Sequence, residues 1–191
     1  MAETKYVFLM GPRACGKSTA AISVRDLLPG WRVLDVDRLY EARHKLRQRS
    51  HLMVHASSYY TECRELVLSH IAQRSELVFA LGGGTLINPL YPTGDFELIT
   101  ACKSHGPLVL ILPSRFDFRN RRILFRRERE RSYAMPRHAL ARWQDSAHAQ
   151  YAERIDFFRA QADSTVYGQE PDRIARALVA KLHLQAKVTR Q

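Results

Sequence analysis

Tyr6-Val7-Phe8-Leu9-Met10-Gly11-Pro12-Arg13-Ala14-Cys15-Gly16-Lys17-Ser18-Thr19 runs from five apolar residues directly into the pattern G-x-x-x-x-G-K-[ST]. The apolar run predicts a buried strand, and Lys17 to Leu28 has the amphipathic spacing of a helix that stops at the breaker Pro29-Gly30. A glycine-rich turn between a strand and a helix N-terminus aims backbone N–H groups at one point, which is how phosphate is gripped. The stretch therefore predicts a Walker A phosphate loop. Gly11, Pro12, Arg13, Ala14, Cys15, Gly16, Lys17, Ser18 and Thr19 are its expected nucleotide contacts. In such a loop the lysine reaches the β- and γ-phosphates of ATP and the serine hydroxyl sits on Mg2+, roles that fall here to Lys17 and Ser18. Dipoles of the loop N–H groups together with Lys17 would make the Cys15 thiol reactive, a liability to oxidation rather than a catalytic group.

Further along the chain, short apolar runs alternate with longer amphipathic ones, the pattern of helices covering a parallel sheet. Strands are predicted at Tyr6–Met10, Arg32–Asp35, Leu77–Leu81, Leu108–Leu112 and Ser164–Tyr167. Helices are predicted at Lys17–Leu28, Arg38–Gln48, Tyr60–Gln73, Phe116–Glu130 and Ala139–Gln161, with a last one opening after Pro171-Asp172. Two prolines and a glycine make Asn88–Asp95 a loop. The expected architecture is α/β: a three-layer P-loop fold with a central parallel sheet of about five strands flanked by helices, plus a mobile lid. One domain is expected over 1–184, with the lid at about 119–137 and a tail at 185–191.

The 191 residues and 46% hydrophobic content suffice for one core. No apolar run approaches the length of about 20 residues needed to span a membrane, and three unpaired cysteines give neither a disulfide framework nor a zinc spacing. A soluble, cytoplasmic monomer acting on a small molecule is expected. The formal charge of +11 raises nucleic acid as a partner, but seven arginines and two glutamates between Arg119 and Arg131 supply +5 of it. Such a cluster grips polyphosphate or lines a solvated helix face, so nucleic acid is not expected.

Three further motifs follow the loop in order. Asp35-Val36-Asp37 with Glu41 ends the second strand, Gly82-Gly83-Gly84 follows the third, and Arg154-Ile155-Asp156-Phe157-Phe158 with Ala162 comes late. Three glycines let backbone pass close to a ligand. Together with the loop, this order resembles the shikimate kinase family over about Tyr6 to Leu182. The resemblance implies ATP-dependent transfer of the γ-phosphoryl group to a hydroxyl of shikimate, with Mg2+. It also implies that Asp35 supports the hydrated Mg2+, that Asp37 holds the acceptor hydroxyls and takes the proton, that Gly82, Gly83 and Gly84 line the substrate, and that Arg154 contacts its carboxylate. A carboxylate just past a strand end can orient a hydroxyl for in-line attack, although Asp37 could equally be a helix cap and Arg154 a surface charge.

Two family features differ. The Phe-Arg pair that usually opens the third helix is Tyr59-Tyr60, leaving Arg64, one turn later, as the stand-in for its arginine. The Arg-Pro pair of the family's lid is Met135-Pro136, leaving Arg131 and Arg137 as the expected ATP contacts. Two other readings stay open on the residues alone: a P-loop kinase for another hydroxyl metabolite, and a non-catalytic nucleotide- or RNA-binding regulator of the same fold.

Overall fold

Tyr6–Met10 is β1, and its five side chains are all buried. A strand without a polar side must be covered on both faces, and β1 lies accordingly in the middle of a parallel sheet of order β2-β3-β1-β4-β5. The other strands are β2 (Arg32–Asp35), β3 (Leu77–Ala80), β4 (Leu108–Leu112) and β5 (Ser164–Tyr167). This computed structural model describes residues 6–46, 56–73, 76–131, 149 and 151–182. Register is set by apolar pairs across the ladder, Phe8 opposite Phe79 and Leu9 opposite both Ala80 and Val109. Phe8 and Phe79 stack with centroids 6.3 Å apart, each fully buried, and burial of a side chain this size is worth about 1.5–3 kcal/mol.

Parallel neighbours need crossovers, and the helices supply them. In chain order these are α1 (Lys17–Leu27), α2 (Val36–Arg43), α3 (Ala56–Ile71), α4 (Phe96–His105), α5 (Asp117–Arg131), α6 (described over 151–161) and α7 (Pro171–Lys181). α1 packs on α7, while α3 meets both α2 and α4. The predicted α/β architecture and its five parallel strands are those observed, with strand ends differing only at Leu81.

Three helical predictions need correction. The segment after the Asn88–Asp95 loop, with no element assigned to it, is α4, whose N-cap Asp95 accepts from Leu98 N at 3.0 Å and which buries Leu98, Ile99 and Cys102. β3 and β4 are parallel strands on either side of β1, so the connection between them had to cross a face of the sheet. α2 also starts at Val36 rather than Arg38 and ends at Arg43 rather than Gln48, and α3 starts at Ala56 rather than Tyr60. Of the predicted helix Ala139–Gln161, residues 139–148 and 150 lie outside the described residues, as does the tail from 183 onward.

α5 shows how an arginine-rich sequence still makes a packed helix. Asn120, Leu124 and Glu128, at i, i+4 and i+8, are buried as one stripe, and the arginines fan out around it. Its first residue, Asp117, takes a two-pronged contact from Arg159 of α6 at 3.0 and 2.5 Å and accepts from the Tyr151 hydroxyl at 3.2 Å. The Arg159 hydrogen bonds hold the Asp117 carboxyl below its usual range. Residues 119–131 of the expected lid thus belong to a regular helix, and 132–137 lie outside the described residues. Among the described residues no helix is long and apolar enough to cross a membrane.

Candidate active site

The loop from Gly11 to Ser18 closes because three of its residues take left-handed backbone: Gly11 at φ 139°, Ala14 at φ 61° and Gly16 at φ 105°. A Cβ on Gly11 would stand 2.8 Å from the Ile111 carbonyl of β4, so the loop leaves the sheet where only glycine fits. Gly16 is the N-cap of α1 and offers no side chain to the first-turn N–H groups, nor does that turn hold an acidic residue. The positive end of α1 carries no carboxylate of the protein's own, which makes it an anion site by construction. Lys17 is buried, its Nζ donating to the carbonyls of Gly11 at 2.9 Å and Pro12 at 3.0 Å. The ammonium is therefore held within the arc of the loop, beside the same N–H groups. Ser18 is partly buried and Thr19 exposed in the first turn of α1.

Cys15 is 0% exposed under the loop, with its Sγ 3.7 Å from Lys17 Nζ. The reactivity expected for it needs solvent access, which this placement removes.

The triple glycine is where separate motifs meet. A Cβ on Gly82 would collide with Asp37 Oδ1 and come within 2.9 Å of Thr85 Oγ1. One on Gly83 would stand 2.8 Å from Arg13 Cγ, and one on Gly84 2.6 Å from the Tyr60 ring. Arg154 Nη1 donates to the Gly83 carbonyl at 3.5 Å, the long limit of a hydrogen bond. The phosphate loop, the start of α2, the start of α3 and α6 thus converge on three consecutive residues without side chains. Thr85, 3% exposed, places below them a hydroxyl with no hydrogen-bond partner among the described residues.

The two aspartates divide the work differently from the capping alternative weighed for Asp37. Asp35 is the cap: its Oδ1 accepts from Asp37 N at 3.0 Å and Arg38 N at 3.3 Å. Because α2 begins at Val36, Asp37 falls in the first helical turn with its carboxylate turned to Gly82. There the Tyr59 hydroxyl donates to Oδ1 at 2.5 Å.

Arg64 has carboxylate partners within the protein, Asp95 at 2.9 Å through Nε and Glu97 at 2.7 Å through Nη2. It pins the cap of α4 to α3, and Tyr60 is the α3 residue at the triple glycine. Arg131 is the last residue of α5, and Arg137 lies outside the described residues. An arginine of α5 that meets the loop is Arg127, which the sequence did not single out, with Nη1 3.4 Å from the Ala14 carbonyl and Nη2 3.2 Å from that of Gln169. Its signal was helical phase: Arg127 stands one turn from buried Leu124, on the inward side of α5. Next to it, buried Glu128 pairs with Arg13 of the loop at 2.8 Å.

Gly82→Ala is expected to displace the Asp37 carboxylate or strain the turn, at about 1–3 kcal/mol. A melting temperature and turnover both equal to the parent's would show that the turn has room for a methyl group.

A family model described as shikimate kinase matches residues 13–183. A shikimate kinase of Chloroherpeton thalassium is 34% identical over 88 residues, 46% of this chain and 46% of that protein. One of Histophilus somni is 27% identical over 88 residues, 46% of this chain and 50% of that protein. The chain thus spans about half the length of the curated relatives it matches. Among solved structures, shikimate kinase from Acinetobacter baumannii in complex with shikimate superimposes with TM-score 0.69 at 18% identity, covering 97% of this chain and 96% of that one. At that identity the likeness is one of fold.

Proposed function

The chain belongs to the shikimate kinase family, and from that premise we propose that it transfers the γ-phosphoryl group of ATP to a hydroxyl of shikimate. The observation that carries the reading is the convergence of Arg13, Asp37, Tyr60 and Arg154 on Gly82-Gly83-Gly84. A triphosphate held by the loop would present its γ-phosphorus toward Asp37, with a small acceptor resting on the bare glycine backbone between them. Asp37 accepts the hydroxyl proton, the freed oxygen lone pair forms the new bond to phosphorus, and the bond from phosphorus to the β,γ-bridging oxygen breaks to release ADP. Lys17 and the first-turn N–H groups of α1 stabilise the charge on the transferring oxygens. Arg127, joined to both the loop and the turn after β5, borders the nucleotide on its other side.

The Ser18 hydroxyl and the Asp35 carboxylate are hard oxygen donors of the kind Mg2+ takes together with phosphate oxygens. Among the described residues no group of three or more His, Cys, Asp or Glu could hold a metal by itself, so the ion would depend on the nucleotide for most of its ligands. Bound there, Mg2+ would draw charge from the β- and γ-phosphate oxygens.

Arg154 supplies the anion contact at the acceptor's far end. Its bond to the Gly83 carbonyl is long, and a carboxylate would outcompete it through a charge-assisted pair. Arg154→Ala is expected to raise KM for shikimate about 10- to 150-fold, the loss of about 1.5–3 kcal/mol, with KM for ATP little changed. The deciding assay is ADP release from MgATP with shikimate, with its decarboxylated analogue and with neutral polyols. Release stimulated by the polyols but not by shikimate would replace the acceptor with another hydroxyl metabolite, an outcome that Tyr60 at Gly84 would explain.

A further inference from the structure

Tyr59 occupies the first position of the Tyr59-Tyr60 pair, and its hydroxyl lies 2.5 Å from Asp37 Oδ1. We propose that Tyr59 is a positioning residue for phosphoryl transfer, its phenol locking the rotation of the Asp37 carboxylate so that the acceptor hydroxyl meets a fixed oxygen. The proposal rests on the reading of Asp37 as the group that receives the acceptor proton.

Three features make the phenol a clamp rather than a chance neighbour. The ring is fixed on both sides, edge-on to Tyr40 at 4.9 Å and to Tyr60 at 5.2 Å, so its hydroxyl cannot swing away without disturbing α2 and α3. Oδ1 is also fixed from below, since it occupies the space that a Cβ on Gly82 would fill. A carboxylate gripped at one oxygen from two directions has lost its torsional freedom. The phenol, finally, stays protonated. Burial, then the charge of Asp37, pushes the Tyr59 ionisation far above its ordinary value, so the phenol keeps its proton throughout the working pH range. Cys63, whose side chain also hydrogen-bonds the phenol, is itself pushed up to about 12, chiefly by burial, and stays a neutral thiol.

The carboxylate must orient a hydroxyl in line with phosphorus, and freedom of rotation lowers the fraction of time it does so. Tyr59→Phe keeps the ring stack and deletes only the donor. It is expected to lower kcat about 10- to 100-fold while KM for acceptor and ATP moves less than about threefold. A packing role would show the opposite split: unchanged kcat in Tyr59→Phe, and loss of stability only in Tyr59→Leu. In the Asp37→Asn background Tyr59→Phe should cost nothing more, because there is no longer a charged carboxylate to hold. Full additivity, with Asp37→Asn alone still severely impaired, would overturn the proposal and leave the proposed function standing. If Asp37→Asn itself keeps full turnover, the catalytic reading of Asp37 falls and the proposal with it. A readout without turnover separates the cases should shikimate prove not to be the acceptor. With tyrosine labelled at 13Cζ, the Tyr59 resonance should shift on Asp37→Asn, and an unmoved resonance would overturn the clamp whatever the acceptor.

Discussion

Lys17→Ala is expected to leave a folded protein whose acceptor-dependent ADP formation has fallen by at least about 10²–10³. The ammonium of Lys17 is not a surface charge that happens to be near the loop. It is buried and held by the carbonyls of Gly11 and Pro12, at 2.9 and 3.0 Å, on the side where α1 presents its uncapped N–H groups. A cation held in place before reaction needs no reorganisation as negative charge moves onto the bridging oxygen, and this preorganisation is what its removal abolishes. Truncation also leaves two carbonyls without their donor, which water can replace at this partly open loop. The melting temperature should therefore fall by only a few degrees. Lys17→Arg is the informative companion. It keeps the charge but substitutes a planar fork for a compact ammonium, and the arc of the loop is shaped for the latter. Turnover near the parent level in either variant, measured with saturating MgATP and acceptor, would sink the phosphate-loop mechanism.

What was legible in the sequence is what a local pattern can encode. β1, β2, β4 and β5 have the predicted bounds; β1 and β4 are short, wholly buried apolar runs, while β2 and β5 are the less buried strands at the edges of the sheet. The phosphate loop is equally local, since its glycines, Lys17 and Ser18 must be adjacent in the chain to work together. α4 escaped because it is short, at ten residues, and follows a loop with two prolines; topology rather than periodicity demands it. The substrate side was only half legible. Asp37, Gly82 and Arg154 carry recognisable motifs, but no spacing says that Arg13 lies over Gly83 or Tyr60 over Gly84. Those contacts come from strand order, which sets β3 between β1 and β2 and so brings the ends of all three strands to one place. Arg64 illustrates the limit most clearly. A single guanidinium one turn from the expected position is a reasonable substitute in sequence, yet Asp95 and Glu97, more than thirty residues away, are the carboxylates it meets. Arg127 is the converse: one arginine among seven in its helix, distinguished only by the face on which it stands.

Asp37→Asn should separate the chemistry from the binding of both substrates. The replacement keeps the shape of the side chain above Gly82 and can still accept from the Tyr59 hydroxyl, so the geometry of the turn is retained. What disappears is the negative charge proposed to orient the acceptor hydroxyl and take its proton, and kcat is expected to fall about 10²–10⁴-fold. KM for ATP should hardly move, because the proposed nucleotide contacts are the loop, α1 and Arg127, whereas Asp37 is proposed to meet the acceptor. The cap of α2 should survive as well, since Asp35 supplies it, and the melting temperature serves as the control for that. Asp35→Asn would be a different experiment: an asparagine caps nearly as well as an aspartate, so any large loss there would point to Mg2+ rather than to the helix. Slow ATP hydrolysis without acceptor should persist in Asp37→Asn, because the loop and Lys17 still polarise the γ-phosphate, while stimulation by the acceptor is lost. If stimulation by the acceptor stays at the parent level, Asp37 is not the proton acceptor, and the base must be sought among the phosphate oxygens of the nucleotide itself.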